Sequence, residues 1–221
     1  MPAFASTSRA RLAAVSIAFA FAAPLMAALP AHAQAPAASP NVPPRPVGVA
    51  RVTGTISART ADGFVVAGEG GPVTVRLTPE TRISGVAPGS TKDLKSGAYI
   101  GAGARPQADG TLAAVQVYVF PEAQRGLAEG HRAWDALPDS TMTNATIASE
   151  VGSVDGDVLT LTYPGGSQKL RIGKDSVILV AAPAGADDLK PGTPVAVSAV
   201  PGPQGMTAQR ITIGTKGAKP L

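Results

Sequence analysis

The pentapeptide Asp93-Leu94-Lys95-Ser96-Gly97 returns 95 residues later as Asp188-Leu189-Lys190-Pro191-Gly192, and Gly70-Gly71 returns as Gly165-Gly166. Apolar positions keep the same offset, so that Val75, Leu77, Ile83 and Ile100 fall on Leu170, Ile172, Ile178 and Val195. A one-residue slip then aligns Val115 and Val117 with Ile211 and Ile213. Turns and the segments between them repeat together, which is the mark of one structural unit used twice. In a chain of 221 residues this favours two small domains over a single large one.

Each copy reads as strands. Val73, Val75 and Leu77 alternate with Thr74, Arg76 and Thr78, and Val115, Val117 and Val119 with Gln116 and Tyr118. A period of two is that of a half-buried strand. The 25 glycines and 21 prolines supply frequent turns. Each unit offers five or six short strands and one brief helical or turn segment near Lys92–Lys95 or Asp187–Lys190. Strands this short bury enough surface only if the sheet curls on itself, which also removes open edges. The expected fold is all-β: tandem small β-barrels, OB-like favoured over SH3-like, joined by an irregular segment. The first barrel repeat is expected over 48–120, the joining segment over 121–145, the second repeat over 146–216 and a tail over 217–221.

The N-terminus reads differently. Ser8-Arg9-Ala10-Arg11 is a basic start, Leu12 to Leu29 is apolar, and Ala31-His32-Ala33 precedes Gln34. This is the pattern of a secretory signal peptide over 1–33, cleaved after Ala33, which implies a periplasmic or secreted protein. An uncleaved anchor is the alternative, disfavoured by Pro24 and the small-x-small exit. Residues 34–47, with Pro43-Pro44-Arg45-Pro46, have no apolar periodicity and read as an Ala/Pro-rich disordered tether. After Leu29 no stretch reaches spanning length, so no membrane span is expected in the mature chain. Arg9 and Arg11 leave with the leader, and the formal charge of +4 becomes +2. His131 is then the remaining histidine.

These counts exclude several chemistries. The chain has no cysteine, so there is no disulfide and no thiolate nucleophile. A Ser-His triad would rest on His131 alone, and no Gly-x-Ser-x-Gly elbow or phosphate-binding glycine loop occurs. One histidine without thiols cannot close a zinc site, and no cofactor is expected. Asp155-Gly156-Asp157 reads as a hairpin turn rather than a calcium loop. Nucleic acid is not an expected partner, because the few aromatics sit in strand patterns where core packing is the common role.

Between the repeats, Pro121 to Ala145 holds Arg125-Gly126, Glu129-Gly130-His131-Arg132-Ala133-Trp134-Asp135 and Ser140-Thr141-Met142-Thr143-Asn144-Ala145. The single tryptophan and the single mature histidine lie here together. So dense a set of specific side chains in a spacer indicates either an inter-barrel clasp or a binding surface. As a clasp, Trp134 would fill a groove between barrels, Asp135 would pair with an arginine and Glu129 would cap a turn. As a surface, Arg125 and Arg132 would meet anionic groups, Trp134 would anchor an apolar part and His131 would hydrogen-bond.

This segment, with Thr81-Arg82-Ile83-Ser84-Gly85-Val86 and Ala104-Arg105-Pro106-Gln107, resembles exported bacterial proteins carrying the domain of unknown function DUF5666, over nearly the whole mature chain. The resemblance implies a periplasmic β-barrel repeat protein. Some relatives carry metal ABC transporter permease labels, which a chain without a membrane domain does not fit. In the second repeat Pro191, Pro194, Pro201 and Pro203 depart from the pattern of the first.

The expectation is a non-catalytic binding or envelope-associated module, with Arg125, Glu129, His131, Arg132, Trp134 and Asp135 as the candidate ligand or partner surface for an envelope ligand or protein. Two alternatives stand beside it: a hydrolase on an envelope polymer that uses His131 with the carboxylates Glu129 and Asp135, and a purely structural envelope protein.

Overall fold

The computed structural model describes residues 48–151, 157–203 and 205–221. The expected leader over 1–33, the expected tether over 34–47 and the expected turn at Asp155-Gly156 lie outside the described residues. Three strands, β1 (Ala50–Arg59), β2 (Gly63–Gly68) and β3 (Gly71–Arg76), form an antiparallel meander. They are followed by β4 (Arg82–Pro88) and the hairpin β5 (Tyr99–Pro106) and β6 (Leu112–Val119). After β7 (Gly130–Ala133) the order recurs. A second meander is β8 (Thr141–Val151), β9 (Asp157–Tyr163) and β10 (Gly166–Ile172), followed by β11 (Val177–Ala182) and the hairpin β12 (Pro194–Gly202) and β13 (Gly205–Gly214).

The meander of each repeat closes with the hairpin of the other. β12 pairs with β1, and β13 closes on β3 in parallel through Met206–Val75 and Thr207–Arg76. In the same way β5 pairs with β8, and β6 closes on β10 through Leu112–Leu170 and Ala113–Arg171. Two five-stranded closed barrels result, each with three strands from one half of the chain and two from the other. Barrels contiguous over 48–120 and 146–216 are therefore not what the pairings build. The physical reason is that both copies present the same edge and the same buried phase, so period-two patterning specifies a strand's face but not which copy completes it.

Each barrel has its own core. Ile56, Phe64, Val66, Val75, Val197 and Ile211 fill the first; Ile100, Val117, Ile147, Leu159, Leu161 and Leu170 fill the second. The repeated pentapeptide supplies the plugs. Leu94 and Leu189 are buried in opposite barrels, each behind a short 3-10 turn over Thr91–Asp93 or Ala186–Asp188. The Asp93 carboxylate accepts the Ser90 backbone N–H, and the Asp188 carboxylate that of Gly185, both at 2.8 Å. Gly97 and Gly192 then turn the chain at φ +84° and +89°, a left-handed conformation that favours glycine.

The register of the repeat differs from the expected slip. Val117 pairs with Ala102, and Ile211 with Val197, so Val117 corresponds to Ile211 and Val119 to Ile213, an offset of 94 rather than 96. The second hairpin has one residue fewer between Pro201 and Met206 than the first has between Pro106 and Leu112. Both hairpins also carry a bulge, at Gly103/Ala104 and at Ser198/Ala199. The bulge takes Val115 out of the ladder, so the core phase runs Leu112, Ala114, then Val117 and Val119.

β4 and β11 carry the chain from one barrel to the other. β4 pairs in parallel with β13, β11 in parallel with β6, and the two pair antiparallel with each other. The row β6-β11-β4-β13 is thus a continuous floor between the barrels. Residues expected as a tail lie on this region. Ala218 is buried with Val86 and Leu179, Arg51 Nη1 donates to the Leu221 carbonyl at 2.9 Å, and Gln116 Nε2 to that of Lys219 at 3.1 Å. Among the described residues no helix is long and apolar enough to cross a membrane.

Candidate functional site

The joining segment is more regular than expected. β7 adds a strand to the second barrel by pairing with β8, His131 opposite Thr143. At four residues it is too short to show a period in sequence. Its side chains are used inward. His131 is 5% exposed, its Nδ1 lies 2.8 Å from the Thr143 hydroxyl, and its ring stacks on Tyr163 with centroids 6.3 Å apart. Burial, and next the Arg132 charge, hold its pKa below the ordinary histidine range. The Trp134 ring lies against Gly103 of β5, where an added Cβ would come within 2.3 Å of it. The absence of a side chain at Gly103 is what makes the seat.

The charged candidates also have local partners. Arg125 Nη2 donates to Glu122 Oε2 at 2.7 Å and to the Gly97 carbonyl at 2.8 Å, and the hydrogen bond with Glu122 lowers that carboxyl's pKa and raises the guanidinium's. Half-buried Arg132 donates to the Ala128 carbonyl at 3.1 Å, and burial lowers its pKa. Glu129 is half-buried. The Tyr99 phenol donates to the Leu127 carbonyl at 3.1 Å, and its pKa is pushed up to about 12, first by burial and then by the Glu129 carboxylate. Exposed Asp135 reaches Arg51 on β1 at 3.9 Å, so the segment is seated on one barrel and touches the other. The structure therefore does not gather the six candidates around one open space. No hydrogen bond joins His131 to Glu129, and among the described residues no group of three or more His, Asp or Glu is placed to hold a metal.

An open space lies instead on the floor between the barrels. A cavity of about 470 Å³ is bounded by Arg82, Arg210, Gln116, Tyr118 and Phe120, with Leu221 at its rim. The joining segment enters it through Gln124 and Leu127. Tyr118 and Phe120 meet edge to face with centroids 4.7 Å apart, and burial raises the Tyr118 pKa. Arg82 and Arg210 are partners in the parallel β4–β13 register and both exposed. Alternation puts Arg82, Ser84 and Val86 on the face opposite Ile83, which packs on the first core. Sequence reasoning missed these residues because outward positions of a strand resemble an ordinary solvated face. Arg82 within Thr81–Val86 was the available signal.

No curated protein and no solved structure matches the chain. A family model described as "Domain of unknown function (DUF5666)" matches residues 53–118. The match covers less than the nearly whole mature chain that the resemblance suggested, and it includes Thr81–Val86 and Ala104–Gln107 but stops short of Pro121. In structural terms it spans most of β1 through β6, the meander of one barrel and the hairpin of the other. Residues 53–118 are thus similar to the DUF5666 family, and the stretch that matches is shared between two barrels of one chain.

Proposed function

We propose that the protein is a non-catalytic binding module that works outside the cytoplasm, with its ligand site on the floor cavity between the barrels. The observation that carries this reading is the cavity of about 470 Å³, within the usual range for small-molecule sites and lined by two aromatics and two arginines. Export is supported by the basic start, apolar stretch and Ala31-His32-Ala33 exit. The cyclic strand order, with the third and fifth strands of each barrel parallel, supports the OB-like reading. The joining segment acts as a clasp, since Trp134, His131, Arg125 and Arg132 all meet neighbouring protein groups. The hydrolase alternative is disfavoured because a buried His131 held by a hydroxyl is poorly placed to reach substrate.

Thermal unfolding against a panel of anions, nucleotides, divalent metals and cell-wall fragments tests the reading. The expected result is a compound whose stabilising shift is lost in Tyr118→Thr but kept in Trp134→Ala. A shift lost in Trp134→Ala and kept in Tyr118→Thr would return the site to the joining segment.

A further inference from the structure

The floor is built around an approximate two-fold relationship between the repeats, and its two ends carry different chemistry. Arg210, opposite Ser198, occupies the place that Gln116 holds opposite Gly103, and Thr212 the place of Tyr118. Likewise the neighbours Arg82 and Arg210 correspond to Val177 and Gln116. One end is dicationic and the other is neutral and aromatic.

Two guanidinium groups on adjacent strands, about 4.8 Å apart at the backbone, repel each other unless an anion lies between them. Neither has an ion pair within 4 Å among the described residues. Glu80 is the acid beside them, lining a neighbouring cavity with both arginines, and its carboxylate is held by the Thr78 hydroxyl. A paired guanidinium fork suits a carboxylate, sulfonate or phosphate, and Tyr118 with Phe120 suits a flat apolar body.

Building on the cavity reading above, we infer that the ligand is an amphiphilic anion, its acidic group between Arg82 and Arg210 and its apolar body against Tyr118 and Phe120. The polarity fixes one orientation in a floor whose backbone is nearly symmetric.

The probe pair is 8-anilinonaphthalene-1-sulfonate and its uncharged counterpart N-phenyl-1-naphthylamine, titrated by fluorescence into the full chain. Arg82→Gln, Arg210→Gln and Tyr118→Thr are the variants, the last two installing the residue found at the equivalent place of the other repeat. The expected result is one saturable sulfonate site, weakened about tenfold by either arginine change. Binding of the amine should depend on Tyr118 and not on the arginines. Arg210→Lys, which keeps charge but loses the fork, should fall between wild type and Arg210→Gln and covers the case in which the glutamine variant does not fold. Sulfonate binding indifferent to both arginines but sensitive to Tyr118 would overturn the anionic class and leave the cavity site standing. Indifference of both probes to all three substitutions would overturn both.

Discussion

Val86 and Ala181 stand 95 residues apart in the chain and are direct partners across β4 and β11. Because 95 is also the repeat offset in this region, each is the counterpart of the other, and the pairing is unchanged when the two copies are exchanged. The neighbouring pairs obey the same exchange: Gly85–Ala182 maps onto Val180–Ala87. This one ladder marks where the chain leaves one barrel to complete the other, and the candidate site lies on the sheet that the ladder joins.

Close approach at this ladder makes it sensitive to volume. A Cβ at Gly85 would lie 2.6 Å from the Ala182 carbonyl and 2.7 Å from the Ala184 methyl. Gly85→Val is expected to lower stability by about 1–3 kcal/mol, the cost of overpacking, measured by urea unfolding. An unchanged midpoint would show that β4 and β11 are not in contact.

The seat of Trp134 can be tested from both sides. Trp134→Ala is expected to cost about 3–5 kcal/mol, and Gly103→Ala about 1–3 kcal/mol as the ring is displaced. Since the chain has one tryptophan, the indole emission of Gly103→Ala should shift to the red with no second indole to confuse it. A blue emission maximum retained in Gly103→Ala would contradict the seat.

Acid stability should report His131. Its pKa is lowered in the folded state, so the unfolded chain binds the extra proton, and stability is present above the unfolded value near 6.5. It is lost as pH falls from about 6.5 toward the lower folded value. His131→Phe should flatten this part of the profile in thermal unfolding between pH 5 and 8. Equal slopes in variant and wild type would refute the assignment.

At the alkaline end Tyr99 has the opposite sign. Its folded pKa of about 12 lies above the ordinary phenol value near 10. The associated stability is present below pH 10 and is lost as pH rises toward 12. Absorbance titration of the phenols should show a latest-ionising group in wild type that is lost in Tyr99→Phe, while the Tyr118 phenol, also raised by burial, still ionises late. A latest phase unchanged between wild type and Tyr99→Phe would refute the buried Tyr99 phenol.

Individual strands were readable because alternation at Val73-Val75 and Val117-Val119 reflects the pleat directly. The closed all-β architecture followed from their shortness. Strand exchange was not readable, since β5 and β12 offer β1 equivalent edges. Nor was the 94-residue register, because the bulge at Val115 mimics continued alternation while removing that residue from the ladder. Residue density in 121–145 marked a segment with specific side chains, but a side chain that binds protein and one that binds ligand look alike in sequence. His131 and Trp134 proved to be buried, and the open arginine pair came from two distant strands, Arg82 on β4 and Arg210 on β13.

Strand exchange itself is tested most directly by cross-linking, for which a cysteine-free chain is well suited. Thr53 on β1 is the partner of Ala196 on β12, at a spacing that permits a disulfide, whereas in a barrel closed within one repeat it would face Gly101 on β5. Oxidised monomeric chain carrying Thr53→Cys with Ala196→Cys should give an intramolecular 53–196 bridge by peptide mass mapping. The double variant at Thr53 and Gly101 should stay reduced. A bridge between 53 and 101, with none between 53 and 196, would contradict the exchanged barrels and the floor built on them.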